Sequence, residues 1–283
     1  MSSRCGYVVL HYQALKETID CVESVLKNTE DSKVVIVDNG STNMSGKKLL
    51  SKYNNNSRVH VILSTTNHGF ARGNNIGIAY LRENFDLDFV ITLNNDTVIE
   101  QSDFESIIAE EYNKSNFAIL GPKIITSDGN ITSNPVTSLI TSKKQIDLLI
   151  AKRVVKYLLS KLYLSALIHE SGTHVYDNDS YDHNNRYENV KLHGACLIFS
   201  KKYFEFFTGF YEKTFLYFEE DILYWRLKQH NLVSVYNPSL AILHLEDVST
   251  KKSTASRREK DMFIFSNEIK SLRVLRDVIT HIE

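Results

Sequence analysis

Four short segments of this 283-residue chain carry side chains able to do chemistry. The first is Asn94-Asn95-Asp96, directly after the apolar run Phe89–Leu93. A carboxylate at a strand end can hold a hard cation such as Mg²⁺ or Mn²⁺, which binds one or two carboxylates plus substrate phosphates. The adjacent asparagines can contact hydroxyls. The same residues also suit an Asx turn that closes a strand. The second segment is Asn67-His68-Gly69-Phe70-Ala71-Arg72-Gly73-Asn74-Asn75-Ile76-Gly77. Its glycines allow close backbone approach to a ligand, N–H groups at a helix start favour anions, and Arg72 adds charge. It is neither a Walker loop nor a dinucleotide fingerprint. The third is Glu219-Glu220-Asp221, flanked by Phe215-Leu216-Tyr217-Phe218 and Ile222-Leu223-Tyr224-Trp225-Arg226. Mutual repulsion and desolvation raise carboxylate pKa values toward the range useful to a general base. A solvated first helical turn, where acids suit the dipole, is the plainer alternative. The fourth is His244, just before Glu246-Asp247, which gains meaning as a ligand only beside an existing metal site.

Such segments need a scaffold that gathers strand ends. Tyr7–Tyr12, Lys33–Asp38, Val59–Leu63 and Phe89–Leu93 are short apolar runs. Amphipathic stretches alternate with them over Leu15–Lys27, around Leu49-Leu50 and over Gly73–Arg82. Ser102 is placed to cap a further helix, with Glu105 at the reciprocal position. The alternation predicts an α/β fold with a mostly parallel sheet covered on both faces. Ligands then bind beyond the carboxyl ends of the strands, where Tyr12-Gln13, Asp38–Ser41 and Asn94–Asp96 fall. Regular structure is expected again over Leu192–Ser200 and Leu232–Tyr236, with a helix over Glu259–Val278 and a loop over Gly172–Asn189. The predicted division is a first half over 1–125, a second half over 126–255 with a helical insertion at 139–190, and a C-terminal helix over 256–283.

The window Ser142–His169 carries six basic residues (Lys143, Lys144, Lys152, Arg153, Lys156 and Lys161) against Asp147 alone. It predicts a long basic helix or helix pair. One expectation is peripheral contact with an anionic membrane surface; the other is packing inside the protein or on a second subunit, which leaves a homodimer open. On an ideal helix the apolar residues do not form one clean stripe, since Lys161 lies nearly opposite Lys152.

Composition bounds the rest. Lys+Arg is 33 against Asp+Glu 34, so a global basic field for nucleic acid is absent and no nucleic-acid partner is expected. Cys5, Cys21 and Cys196 form no CxxC pair, and an odd count argues against a disulfide scaffold, so a reducing cytosol fits best. No signal peptide is expected at the N-terminus, and no apolar run is long enough to span a bilayer.

The ordered blocks VVLHYQALKETIDCVESV, VVIVDNGST, NHGFARGNNIG, FVITLNNDT, HGACLIFSKKYF, GFYEKTFLYFEEDILYWRL and ILHLEDVST resemble the inverting glycosyltransferases of family 2, particularly the rhamnosyltransferase-like branch. The resemblance implies a GT-A fold, a UDP- or dTDP-sugar donor and a divalent cation, Mn²⁺ or Mg²⁺. It puts Tyr12 and Asp38 at the nucleobase and ribose, and Asn67, Gly69, Arg72 and Asn74 near ribose and diphosphate. Asn94-Asn95-Asp96 takes the D-x-D position, with Asp96 as the metal carboxylate and His244 as a further ligand. The family's E-D pair, counted back from Arg226, falls at Glu219-Glu220, while the literal dipeptide is Glu220-Asp221; both registers include Glu220, which ranks first as catalytic base, with Asp221 second. It further implies a hydroxyl acceptor on a glycan or lipid-linked carrier, in surface-polysaccharide or capsule synthesis, at the cytoplasmic face of a membrane. A nucleotidyltransferase and a non-catalytic nucleotide-binding protein are the rival readings: the loop His11–Lys16 lacks the glycines that the first places after its first strand, and the retained Asp96, Glu220 and His244 speak against the second.

Overall fold

Tyr7 and Val9 pack with one set of helices and Val8 with another, and all three are fully buried. Val34 and Ile36 alternate with Val35 and Val37 in the same way. Strands apolar on both faces must be covered on both, which dictates helices above and below one sheet. The computed structural model describes residues 4–129, 131–132, 134–164, 181–245 and 256–280. Within them the chain runs β1 (Cys5–His11), α1 (Leu15–Asn28), β2 (Lys33–Asp38), α2 (Ser45–Tyr53), β3 (Val59–Leu63), α3 (Gly69–Asn84), β4 (Phe89–Asn94), β5 (Thr97–Val98) and α4 (Phe104–Ser115). It continues through β6 (Ile119–Thr126), β7 (Ile131–Thr132), α5 (Lys143–Lys161), β8 (Tyr187–Glu188), β9 (Cys196–Ser200), α6 (Lys201–Phe204), α7 (Glu219–Gln229), β10 (Ser234–His244) and α8 (Arg257–Thr280).

One sheet, in the order β3-β2-β1-β4-β9-β6-β10-β5, passes through both predicted halves. The first four strands are mutually parallel. β9 then lies antiparallel between β4 and β6, and β10 returns parallel to β6. The mostly parallel expectation therefore describes the N-terminal side, while the other side is mixed. The consequence for function is geometric. His11, Asp38, Asn94 and His244 end parallel strands, and the turn entering antiparallel β9 lies at that same edge.

Two local expectations change. α3 begins at Gly69, four residues before the predicted start, so most of the glycine-rich segment is helical. Ser102 does not cap α4: the helix starts at Phe104 with Asp103 at the cap position and no side-chain capping bond. Glu105 is drawn instead to the sheet, where its carboxylate accepts hydrogen bonds from the Tyr7 hydroxyl at 2.9 Å and from Ser32. A reciprocal capping box does form at α5, between Ser142 and Gln145.

The basic helix α5 packs on α8 and α7. Ile146, Ile222, Trp225, Leu272 and Leu275 share a small core. Arg153 pairs with Glu268 at 2.6 Å, and Lys156 lies over the Phe265 ring at 5.9 Å. Half of the predicted loop falls outside the described residues, and its described end contains β8. No disulfide joins the three buried cysteines.

Candidate active site

The ends of β1 and β2 are locked to each other by register, His11 opposite Asp38. Tyr12 follows and is 40% exposed, open to a ligand. The buried Asp38 carboxylate accepts the Ser41 N–H at 3.1 Å, and Gly46 leaves it the space it occupies at the start of α2. The neighbouring Asn39 is the hub of this side. Its amide nitrogen donates to Asn67 Oδ1 at 3.0 Å and to the Gly69 carbonyl at 3.1 Å, and its oxygen accepts the His68 N–H at 2.8 Å. A buried amide with every polar atom used rigidifies the loops that it joins.

Gly69 opens α3 at φ +79°, and a side chain there would sit 2.2 Å from the Phe215 carbonyl oxygen. That carbonyl accepts the Phe70 N–H at 2.8 Å, so the glycine-rich segment and the aromatic run before the acids are bound together. Asn75 strengthens the link: its amide donates to the Phe210 carbonyl at 2.9 Å and accepts the Phe210 N–H at 2.8 Å. Arg72 is exposed and donates from Nε to the Glu212 carbonyl at 2.9 Å. Asn74 is buried within α3 and donates to the Phe70 carbonyl at 3.0 Å.

The other side of the edge is built from charges. β5 pairs antiparallel with the end of β10, Thr97 opposite His244, and the Leu245 N–H closes on the Asp96 carbonyl at 2.9 Å. This register fixes Asp96 Oδ1 3.2 Å from His244 Nε2. Asn95 anchors the turn by donating to the Thr18 hydroxyl at 3.1 Å. Asn94, the last residue of β4, takes the Ala195 carbonyl on its N–H at 2.9 Å, which draws in the turn before β9. That turn carries His193, whose ring centroid is 6.1 Å from that of His244. Burial pushes the His193 imidazole down in pKa, against the pull of Glu220 and Asp96 upward. Its Nδ1 accepts the Ala195 N–H at 3.1 Å, so the neutral ring carries its proton on Nε2 and offers a donor.

The three acids of α7 separate into three environments. Glu219 is buried with one oxygen unpartnered among the described residues; burial first, then Glu220, pushes it up to about 8. Glu220 is half-buried and accepts the Gly194 N–H at 3.1 Å. A side chain at Gly194 would sit 2.8 Å from the same carboxylate oxygen and displace it. Asp221 is buried against Lys191 Nζ at 3.0 Å; burial raises its pKa while Lys191 opposes the rise. Tyr217 and Phe218, immediately before the acids, both have left-handed backbone, at φ +75° and +65°. Strain at two successive bulky residues is the kind that clusters at functional sites.

The structure thus brings Asp96, His244 and Glu220 toward one edge, with Tyr12 and Asp38 further along it, and turns Asp221 into a buried ion pair. Sequence reasoning missed Asn39, His193 and Lys191. Asn39 lay inside the quoted Asp38–Ser41 turn, and His193 opened the HGACLIF block; neither spacing signalled its partners. Among the described residues, no group of three or more His, Cys, Asp or Glu side chains is set to hold a metal.

The sequence profile of glycosyl transferase family 2 matches residues 7–205. A low-salt glycan biosynthesis hexosyltransferase of Haloferax volcanii, Agl10, is 24% identical over 246 residues, 86% of this chain and 69% of that protein. Glycosyltransferase GlyG of Streptococcus pneumoniae is 26% identical over 133 residues, 46% of this chain and 43% of GlyG. The fold is shared with S. aureus TarS 1–349, solved in complex with UDP-GlcNAc, at TM-score 0.53 and 15% identity over 94% of this chain and 66% of that one. It is shared too with GalNAc-T7, solved with UDP, GalNAc and Mn²⁺, at TM-score 0.60 and 12% identity over 93% of this chain and 47% of the other.

Proposed function

We propose a reaction from one premise: this chain belongs to glycosyl transferase family 2 and is a glycosyltransferase. The reaction is transfer of a sugar from a UDP- or dTDP-linked donor to a hydroxyl of a glycan or lipid-linked acceptor, with inversion at the anomeric carbon. The sequence blocks favour rhamnose and a place in bacterial surface-polysaccharide assembly. One observation carries the reading. A half-buried carboxylate, Glu220, is held by the Gly194 N–H beside a turn whose His193 neighbours the Asp96–His244 pair.

In this mechanism Tyr12 and Asp38 hold the nucleoside, and the α3 start with Arg72 faces the diphosphate. Glu220 accepts the proton of the acceptor hydroxyl. The oxygen attacks the anomeric carbon from the face opposite the diphosphate, the bond to the diphosphate oxygen breaks, and the nucleoside diphosphate leaves. The Asp96 carboxylate and the His244 imidazole, 3.2 Å apart, are an oxygen and a nitrogen donor that would hold Mn²⁺ or Mg²⁺ beside the donor diphosphate. Such an ion would supply neutralisation of the charge on the leaving group. His193 Nε2–H adds a donor at the same edge.

The test mixes the protein with Mn²⁺, a candidate acceptor and a panel of UDP-glucose, UDP-galactose, UDP-N-acetylglucosamine and dTDP-rhamnose. Release of UDP or dTDP from one donor is expected, and Asp96→Ala abolishes it with an unchanged circular dichroism spectrum. No release from any donor, with pyrophosphate released instead when UTP or dTTP is mixed with a sugar 1-phosphate, would favour a nucleotidyltransferase. Full activity of Asp96→Ala would remove the carboxylate from the site.

A further inference from the structure

α5 has two faces, and among the described residues only one is covered. Ile146 is buried in the core shared with α7 and α8, the carbonyl of buried Ser160 accepts from Arg258 of α8, and Arg153 pairs with Glu268 on that side. On the opposite side Leu148, Ala151, Val155, Leu158 and Leu162 recur at alternating steps of three and four residues, which places them in one stripe along the helix. Leu148 is 56% exposed, Val155 56%, Leu158 48% and Leu162 65%. These values are far above those of a helix face covered by its own protein. Exposed Lys152 borders the stripe on one flank, exposed Lys161 on the other, and exposed Lys144 heads it. Asp147, the one acid in the helix, is 2.8 Å from Arg276 and so is neutralised. The near-opposition of Lys152 and Lys161, which argued against a clean stripe on an ideal helix, is the spacing of two flanks around one.

We propose that this face of α5 docks on an anionic lipid bilayer, with the apolar stripe in the headgroup–acyl boundary and the three lysines against lipid phosphates. A helix with an apolar face and lysines along both margins matches a segment lying in a membrane interface, where the lysine stems run along the apolar surface and the ammonium groups reach outward. None of the described helices is long and apolar enough to cross a membrane, so α5 lies on the bilayer rather than in it. Charge selects this occupant over a second copy of the chain. An isologous pair would bring the lysine margins of one copy against those of the other, whereas phosphates meet them with opposite charge. The docking stands apart from the sugar-transfer reading, because no residue of the stripe belongs to the catalytic edge.

Sedimentation of the whole protein with unilamellar vesicles tests it. Binding is expected to phosphatidylcholine vesicles containing phosphatidylglycerol, and not to phosphatidylcholine alone. The combined substitution Lys144→Gln, Lys152→Gln and Lys161→Gln is expected to weaken binding on the order of a hundredfold. Val155→Gln, Leu158→Gln and Leu162→Gln together are expected to weaken it at least about tenfold with the lysines intact. All six side chains are exposed, so both variants should melt with the parent and release nucleoside diphosphate at the parent rate. No sedimentation of the parent, or variants that bind as the parent does, would overturn the proposal. So would a parent dimer in analytical ultracentrifugation that ignores vesicles and is lost in the apolar variant, which would hand the stripe to a second copy.

Discussion

The two sides of the strand edge are held by different physics. At the ends of β1 and β2 the fixing groups are neutral amides: Asn39 ties together the turns around Asn67 and Gly69, and Asn75 ties α3 to the Phe210 segment. Their hydrogen bonds are complete before any ligand arrives. At the ends of β4 and β10 and the start of α7 the fixing groups are ionisable: Asp96 with His244, Lys191 with Asp221, and Glu219 buried beside Glu220. A satisfied amide network makes a rigid frame for a ligand. Buried acids and bases make a region whose protonation can change, and proton transfer needs that. The amide side is thus suited to position, and the acid side to react.

The comparison is broken most directly at Glu220. Glu220→Gln keeps shape but cannot take a proton, so turnover should fall on the order of a thousandfold while nucleotide affinity in calorimetry stays at the parent value. Asp221→Asn should act on folding instead. It leaves Lys191 buried without its counter-charge, which costs about 3–5 kcal/mol in chemical denaturation, while turnover per folded molecule is retained. The reverse pattern, lost turnover at unchanged stability, would move the base to Asp221.

Glu219 sharpens the contrast through pH. Its carboxyl titrates near about 8 when folded, against an ordinary value of 4.5, because burial and then Glu220 oppose ionisation. Between those values the folded state holds a proton that the unfolded state has released. Stability from this group is therefore fully present below the unfolded value and is lost as pH rises to the folded one. Glu219→Gln should remove that slope. Thermal melts should coincide near about pH 5 and separate above about pH 8, with the variant higher by several degrees. A constant offset at all pH values would place the carboxyl in an ordinary environment.

The smallest change is expected on the amide side. Asn39→Ala strands the Asn67 and Gly69 acceptors and the His68 donor, for about 1–3 kcal/mol. No pH dependence should accompany it, and the donor KM should rise more than kcat falls. An equal loss in kcat would mean that the frame also orients the reacting groups.

Much of this was legible from the chain alone. β2 begins and ends where the apolar run Lys33–Asp38 does, because a strand buried on both faces is marked residue by residue, and the half-buried edge strand β3 coincides with the run Val59–Leu63. The polar clusters at the strand ends were visible for the same reason. What the sequence could not show were choices made between partners far apart in it. Glu105 suits a capping box by spacing, but its carboxylate accepts from Tyr7 and Ser32, 98 and 73 positions away. α3 starts at Gly69 because the Phe215 carbonyl takes the Phe70 N–H and leaves room only for glycine. The acids at 219–221 are equivalent as letters; Lys191 and Gly194 tell Asp221 from Glu220. The stripe on α5 became an outer face only when α8 covered the other side. Periodicity and composition are local, and they determined the elements and the kind of chemistry. Burial and pairing belong to the folded whole, and they alone decided which side chains meet, and so which of several candidates is placed to act.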